Sequence, residues 1–503
     1  MMDRVVKSRG GSSAAVAATT IDRRVWPMIM FIGLMSVLVV KEISLPSPVI
    51  LMCALVGLFG LLMTGLQHPE LPLYVLVAYL PFSRLFVGDF GTQTFALNLT
   101  NILTIWVLGT YWLNRISRGQ ALFAGTPLNI AVASFGLLGG LSLILAGLNY
   151  GSWYVWEFIT PLKQWLTPIF FYYVALWVVR DRRTVKTVAV LIMVAVTVVA
   201  LMAIRDYMDI GESSFDESRV GGIAEHSNTL GAFFDYYMFL LLGFFLIYAR
   251  KLKAWWLLIP FALCFRGIMV TFSRGAYLAF AAGSLAACWF RSKLLFAAAV
   301  ATGVLLVVTP GLLPAGIRYR MGMTLVRSPA DFNATQDIAE NFEASSAHRI
   351  EIWRGAVAMI KDYPWWGVGY GSFPRMIPNY TQVNMGYVDA HNSYLLIAAE
   401  MGLPTLAVFL LVLMMAWWYT YWLYRHTQDP PIKAMALGFL AGLVGLLVAN
   451  MFGSRMDDQT VSSYFWILCG LIMRAVVIER QEKSRSVPSI PSVPSVRHIP
   501  STS

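Results

Sequence analysis

Charged residues are scarce in this chain, and their scarcity excludes most soluble folds. Only 13% of its 503 residues are Asp, Glu, Lys or Arg, whereas 58% are hydrophobic. Soluble domains carry about 25% charged residues. The apolar residues form long blocks, such as 185–204, which match the ~20-residue helix that crosses a bilayer core. Because backbone groups in lipid must bond within their own segment, these blocks predict membrane-spanning helices.

Cysteines and soluble-enzyme motifs are also sparse. The four cysteines all lie inside apolar blocks, so we expect no disulfide and no metal site. There is no P-loop and no His-Glu-x-x-His pair. The glycines of segment 367–371 follow no predicted strand, so they predict a tight turn and not a dinucleotide fingerprint. We therefore expect no cofactor.

The apolar blocks predict an all-α polytopic membrane protein with about fourteen spans, and twelve to fourteen are compatible with the pattern. The spans fall at 26–40, 49–66, 71–87, 98–113, 128–148, 156–179, 185–204, 229–248, 254–272, 275–290, 294–313, 405–423, 434–450 and 461–473. They define a membrane domain over 25–479. A cytoplasmic tail, 1–24, precedes it, and a Ser-Val-Pro-rich tail, 480–503, has the composition of a disordered segment.

The basic residues of the connections set the predicted orientation. With the N-terminus inside, the inner connections carry thirteen Lys and Arg residues and the short outer connections carry four. Because Lys and Arg concentrate in cytoplasmic loops, we predict that both termini are cytoplasmic. The net charge of +11 thus reflects orientation and not nucleic-acid binding.

One connection, 314–390, is long and falls on the outer side. Its segment 347–363 has helical spacing. One stripe of this predicted helix carries Ile350, Trp353, Val357 and Ile360. Such a helix either lies on the membrane surface or caps the bundle, and we favour the surface.

Polar residues near the outer ends of spans are the candidates for chemistry. Arg274 falls in a tight turn between two spans, Arg266 lies about two turns earlier, and Lys163 lies within a span. Charges at such depth face a cavity or a partner, or else reach the headgroups. His391 opens a short predicted helix that also carries Glu400. A lone histidine is normally structural, but a neutral imidazole can take a proton from a hydroxyl.

These positions predict an outward-facing cavity lined by Arg219, Arg274 and Arg349, with His391 nearby. Arginine forks bind phosphate oxygens bidentately. A site outside the cell does not meet nucleotide sugars or ATP, so a lipid-linked phosphate fits better. A transporter is the alternative, with Lys163 and Arg266 along its path, although the helix pattern shows no internal repeat.

Several short segments follow one another in a fixed order between 219 and 404. They are the run from Arg219 to Asn228, then 273–276 (SRGA), 348–353 (HRIEIW), 362–369 (DYPWWGVG), 391–395 (HNSYL) and 399–402 (AEMG). In order and spacing they resemble the O-antigen ligase and polymerase family. The predicted number of spans is larger than is common in that family.

The resemblance implies a metal-independent, inverting glycosyltransferase on the periplasmic face of a bacterial inner membrane. Its donor would be an undecaprenyl-pyrophosphate-linked glycan, and its acceptor a glycan, a lipid A core or a protein hydroxyl. His391 would activate the acceptor, while Arg274 and Arg349 would hold the pyrophosphate. The candidate substrate-binding residues are Arg219, Asn228, Lys163, Trp353, Asn392 and Glu400.

Overall fold

The computed structural model describes residues 65, 68–85, 98–210, 219–224, 226–322, 344–381 and 389–486. Within these ranges the chain is helical and forms no β-strand. The predicted tail 1–24 and the predicted spans 26–40 and 49–66 lie outside the described residues, apart from position 65. Of the tail 480–503 that was predicted to be disordered, residues 480–486 are helical and the others lie outside the described residues.

The α-helices that fold these ranges are numbered here in chain order. They are α1 (Glu70–Tyr79), α2 (Leu99–Ile116), α3 (Pro127–Tyr150), α4 (Ser152–Val178), α5 (Arg182–Asp209), α6 (Ser227–Tyr237), α7 (Phe239–Tyr248), α8 (Leu258–Thr271), α9 (Arg274–Arg291), α10 (Lys293–Val308), α11 (Ala315–Gly322), α12 (Ala344–Asp362), α13 (Phe373–Met376), α14 (Ser393–Met401), α15 (Leu403–His426), α16 (Pro430–Ala449) and α17 (Gln459–Ser486). Every predicted span from 71–87 onward overlaps one of these helices, or the pair α6 and α7, although the α-helix in 71–87 already ends at Tyr79.

Within the described ranges, seven helices are long and apolar enough to cross a membrane. They are Pro127–Tyr150, Arg182–Asp209, Ser227–Tyr248, Leu252–Thr271, Leu403–His426, Pro430–Ala449 and Gln459–Ser484. The protein is therefore an all-α polytopic membrane protein. The predicted total of fourteen spans stays a prediction.

Aromatic side chains fill the centre of the bundle. The ring of Phe135 on α3 lies 4.9 Å from Trp165 on α4, 5.0 Å from Phe409 on α15 and 6.2 Å from Trp466 on α17, measured between centroids. Large rings that interdigitate in this way bury much apolar area. They join the early helices to the C-terminal ones, so the two parts of the sequence form one core.

Glycines on α16 bring its backbone against α6 and α7. A Cβ on Gly438 would lie 2.5 Å from the carbonyl oxygen of Phe239, and one on Gly445 would lie 2.7 Å from that of Asp235. Small residues allow this close helix packing in membranes. The contact fixes the end of α16 beside the beginning of α6, where the cavity described below is found.

The long outer connection has a small core of its own. Helix α12 confirms the predicted 347–363 helix, and it packs on α14. Its buried stripe, however, consists of Ile352, Ala356 and Met359, while Val357 is 41% exposed. This buried stripe differs from the stripe of larger side chains noted in the sequence, and that the latter faces the membrane stays a prediction. Close packing on this side of α12 requires small residues, because a Cβ on Gly355 would clash with the side chain of Thr381.

Candidate active site

An open cleft lies where α6 and α9 begin and α8 and α16 end. The charge of its lining is mostly positive. Among the lining residues are five arginines, Arg219, Arg274, Arg320, Arg349 and Arg455, together with Asn228, Asp235, Ser273, Gly275, Ala276 and Phe452. The predicted set Arg219, Asn228, Arg274 and Arg349 is thus brought together in one cleft.

The turn between α8 and α9 aims a helix N-terminus into the cleft. Phe272 has a φ of 48°, which reverses the chain, and α9 then begins at Arg274. The first N–H groups of a helix have no partner within the helix and carry partial positive charge. The chain passes tightly here, since a Cβ on Gly275 would lie 2.9 Å from Cβ of Phe452. This end of α9 therefore suits an anion.

Two arginines are anchored on the other side of the same turn. Nε of Arg219 donates to the carbonyl of Thr271 at 3.3 Å, and Nε of Arg320 donates to that of Phe272 at 3.2 Å. Arg219 also donates from Nη2 to Oδ1 of Asn228 at 2.8 Å. The carbonyls at the end of a helix attract cations. The end of α8 therefore holds two guanidinium groups in place beside the beginning of α9.

The fifth arginine is tied to the start of α14. Arg455 is only 9% exposed, and its Nη1 donates to Oγ1 of Thr229 at 2.8 Å. Its backbone N–H donates to Oγ of Ser393 at 3.0 Å, and that hydroxyl donates to Oδ1 of Asn450 at 2.6 Å. Asn450 in turn donates to the hydroxyl of Tyr236 at 2.8 Å. This buried network connects the His391–Asn392–Ser393 turn to the wall of the cleft.

Asp235 lines the deepest part of the cleft. Its side chain is fully buried, and neither carboxylate oxygen has a hydrogen-bond partner among the described residues. It shares one face of α6 with Asn228 and Ala232, at helical spacing, and all three line the cleft. Burying a carboxylate without a partner costs free energy. We therefore regard Asp235 as part of the site and not of the apolar core.

His391 lies beside a carboxylate that the sequence analysis did not single out. Nδ1 of His391 is 3.2 Å from Oδ2 of Asp389. Burial would raise the pKa of Asp389, but His391, Ser454 and Arg455 together hold that pKa below its usual value. A carboxylate on one ring nitrogen orients the imidazole and leaves the other nitrogen for chemistry.

His391 is not among the lining residues of the cleft, but its neighbours connect it to them. Burial, followed by the charges of His391 and Arg349, lowers the pKa of His348. Nε1 of Trp353 donates to the carbonyl of Ala390 at 3.0 Å, and its ring lies 6.5 Å from that of Phe452, which lines the cleft. Trp353 thus supports the turn that carries His391.

The other predicted substrate-binding residues lie outside the cleft lining. Oδ1 of Asn392 accepts from the backbone N–H groups of Tyr394 and Leu395 and caps α14. Glu400 is 5% exposed, and its Oε1 accepts from the N–H of Phe373 at 3.0 Å. Lys163 is partly buried on α4 and is not among the lining residues.

The glycines of 367–371 form the predicted tight turn. Gly367, Gly369 and Gly371 all have positive φ, at 66°, 107° and 76°. Only glycine adopts these conformations without strain. The turn packs on Glu400, because a Cβ on Gly367 would clash with its backbone. These glycines therefore serve the folding of the outer connection.

Sequence reasoning missed four residues of the site, and each had a signal. Asp235 is the one acidic residue in the predicted span 229–248. Arg455 is one of only four basic residues in the short outer connections, where the charge bias predicts few. Arg320 lies on the same predicted side. Asp389 precedes His391 by two residues. The sequence alone does not show that these positions lie close together.

Residues 259–410 match one family model, described as O-antigen ligase. The match includes His391 and three arginines of the cleft, Arg274, Arg320 and Arg349, whereas Arg219, Asp235 and Arg455 lie outside it. The chain matches no curated protein. The O-antigen ligase segment supports a lipid-linked glycan ligase or polymerase type of function in a multi-pass membrane protein.

Proposed function

We propose that the protein transfers a glycan from an undecaprenyl-pyrophosphate carrier to an acceptor hydroxyl on the periplasmic face of a bacterial inner membrane. The observation that carries the proposal is the convergence of five arginines and the N-terminus of α9 on one cleft, to which a hydrogen bond from Arg455 to Ser393 links the turn of His391. The O-antigen ligase match includes His391, the N-terminus of α9 and three of the five arginines, Arg274, Arg320 and Arg349, which supports the same chemistry.

The charge of the cleft suits a pyrophosphate. Its five guanidinium groups face one carboxylate, Asp235, among the described lining residues. A guanidinium fork donates two parallel N–H bonds to phosphate oxygens. Arg274 and Arg349 hold the pyrophosphate, and Arg219, fixed on Thr271, supports them. The pyrophosphate accepts hydrogen bonds and donates none, so Asp235 takes its hydrogen bonds from sugar hydroxyls of the donor.

The transfer is a single displacement. The acceptor oxygen attacks the anomeric carbon of the lipid-linked sugar and forms the new C–O bond, while the bond to the pyrophosphate oxygen breaks. His391 takes the acceptor proton, which contributes about 10²–10⁴ in rate. The fixed positive charge of the arginines stabilises the negative charge that develops on the leaving pyrophosphate. An in-line displacement inverts the configuration, and no step here requires a metal ion.

The predicted orientation places the cleft on the side where lipid-linked glycans are used. The cleft lies at the end of the bundle next to the long connection 314–390, which the charge bias puts outside. A transport path is less well supported. Arg266, which lies within a span, is an exposed residue with its guanidinium 5.2 Å from the ring of Tyr207, so it faces out of the bundle.

The proposal is tested with purified protein and an undecaprenyl-pyrophosphate glycan. Separate reactions receive a second lipid-linked glycan, lipid A core or a protein acceptor, and a nucleotide sugar replaces the donor in the control. Product with a lipid-linked donor and one of the acceptors supports the proposal and names the subclass. Product with the nucleotide sugar alone would overturn it.

A further inference from the structure

Three arginines meet at the end of the bundle opposite the cleft. Arg115 lies in the last turn of α2, Arg180 lies just beyond α4, and Arg474 lies on α17. Nη2 of Arg474 donates to the carbonyl of Arg180 at 3.3 Å, and Nη2 of Arg180 donates to Oδ1 of Asn114 at 3.0 Å. Burial, followed by the charges of Arg115 and Arg118, lowers the pKa of Arg180. The three guanidinium groups are thus close enough to repel one another.

These guanidinium groups have buried donors without acceptors. The Nε atoms of Arg115, Arg180 and Arg474 are buried and have no hydrogen-bond partner among the described residues. Nε1 of Trp177, one helical turn before Arg180, is likewise buried and has no hydrogen-bond partner among the described residues. Four N–H donors therefore lie without acceptors in one region. Leaving such donors buried and unpaired costs free energy, more so for charged groups.

Acidic residues lie near the cluster. The charges of Glu70 and Asp181 act on it. Among the described residues, Glu70 lies 3.8 Å from His68. Oδ1 of Asp181 accepts from the N–H of Thr184 at 2.7 Å and caps α5. These carboxylates therefore act on the cluster by their charge, without a described ion pair to its three arginines.

A phosphate group has the chemistry that these donors lack. It is an anion with acceptor oxygens only, and guanidinium forks bind it bidentately. The three arginine side chains are partly exposed, so a ligand can reach them. The charge bias places this end of the bundle in the cytoplasm, where anionic lipids attract basic pockets between helices.

The surface next to the cluster indicates a lipid and not a free ion. Leu113 and Ile116 on α2 are 60% and 65% exposed, and Phe123, 61% exposed, packs edge-on against Trp177 at 4.9 Å. Acyl chains lie against such a surface. We propose that Arg115, Arg180 and Arg474 bind the phosphate of an anionic phospholipid of the inner leaflet.

The test measures lipid binding to delipidated protein by native mass spectrometry. Dioleoylphosphatidylglycerol and dioleoylphosphatidylcholine are titrated separately, and inorganic phosphate is added in a thermal-shift series. Wild-type protein should bind phosphatidylglycerol at least about tenfold more tightly than phosphatidylcholine. Arg180→Gln and Arg474→Gln should each weaken that binding about tenfold, as expected for one charge-assisted hydrogen bond. The matched control is Arg425→Gln, an exposed arginine in the last turn of α15, and it should bind as wild type does.

Each other outcome contradicts part of the proposal. Equal binding of the two lipids by wild-type protein, which needs no variant to fold, would overturn the anion site if inorganic phosphate also fails to stabilise the protein. An equal loss in Arg425→Gln would show that net charge, and not this cluster, binds the lipid. Stabilisation by inorganic phosphate, without selectivity between the lipids, would keep an anion site and overturn its assignment to lipid.

Discussion

His391 and Asp389 form a pair at the edge of the arginine-lined cleft, with Nδ1 of the imidazole 3.2 Å from Oδ2 of the carboxylate. The backbone of His391 has a φ of 49°, a left-handed conformation that is uncommon for a residue with a side chain. The buried contacts of Ser393 with Asn450 and Arg455 hold the turn in place. The chain therefore maintains a strained turn where it presents a base.

The first prediction concerns the carboxylate of this pair. Asp389→Asn should lower kcat about 10- to 100-fold, because the amide is neutral and no longer stabilises the imidazolium that forms when His391 accepts a proton. The KM for the lipid-linked donor should stay near the wild-type value, since Asp389 does not line the cleft. Steady-state kinetics separates the two constants. A rise in KM with kcat unchanged would show that Asp389 acts in donor binding.

The second prediction separates the chemistry of His391 from its backbone conformation. Asn tolerates left-handed φ and cannot act as a base at neutral pH, so His391→Asn should keep the turn. Transfer should fall by at least about 10², while the melting temperature stays within a few degrees of wild type. Turnover and thermal unfolding are measured on the same preparation. Near-normal turnover would mean that His391 is structural.

The third prediction concerns the geometry of the arginine grip. Arg349→Lys keeps the charge but loses the bidentate fork, so it should be strongly impaired, though less than Arg349→Ala. Arg354 is the matched control on the same helix. It is an exposed residue 3.5 Å from Glu351, and an exposed pair of this kind contributes under about 1 kcal/mol. If Arg349→Lys kept full activity and Arg354→Ala lost its activity, the other face of α12 would be the one that contacts the donor.

The fourth prediction concerns the pH dependence of stability. Burial raises the pKa of Glu400 from 4.5 to about 7, against hydrogen bonds from Gly371 and Phe373 that lower it. The folded protein therefore binds more protons than the unfolded chain between these values. Its stability falls as pH rises through that window, by about 3 kcal/mol in total.

Glu400→Gln removes this titration and keeps an oxygen for the N–H of Phe373. The melting temperature of the variant minus that of wild type should increase from pH 4.5 to 7 and then stay constant. Thermal unfolding across that range measures it. A constant difference would show that Glu400 does not titrate there.

Much of the fold follows from the sequence, because hydropathy alone dictates where helices cross a bilayer. The block 185–204 predicts α5, and the charge bias predicts which ends share a side. The predicted stripe on α12 does not contain the fully buried residues, since hydrophobic size does not reveal that Ala356 and Gly355 face the packed side. Close packing depends on the neighbouring segment, which a helical pattern does not contain.

The site was predictable in part for a similar reason. Arg274 and Arg349 stand out as charges in motifs at the outer ends of apolar segments. Arg320 and Asp235 come from other elements and join them only through the packing of α6, α8 and α9. The pairing of His391 with Asp389 depends on a turn conformation that no local pattern specifies.

The most direct test is a single-turnover reaction with undecaprenyl-pyrophosphate glycan and its acceptor in proteoliposomes. The amounts of glycosylated acceptor and released undecaprenyl pyrophosphate are measured for wild type and Arg274→Ala, together with donor binding. Wild type should release the two products in equal amounts. The variant should react about 10²–10³ times more slowly, because the charge that meets the leaving pyrophosphate is gone. An Arg274→Ala variant that binds and transfers like wild type would contradict the assignment of the cleft as the active site.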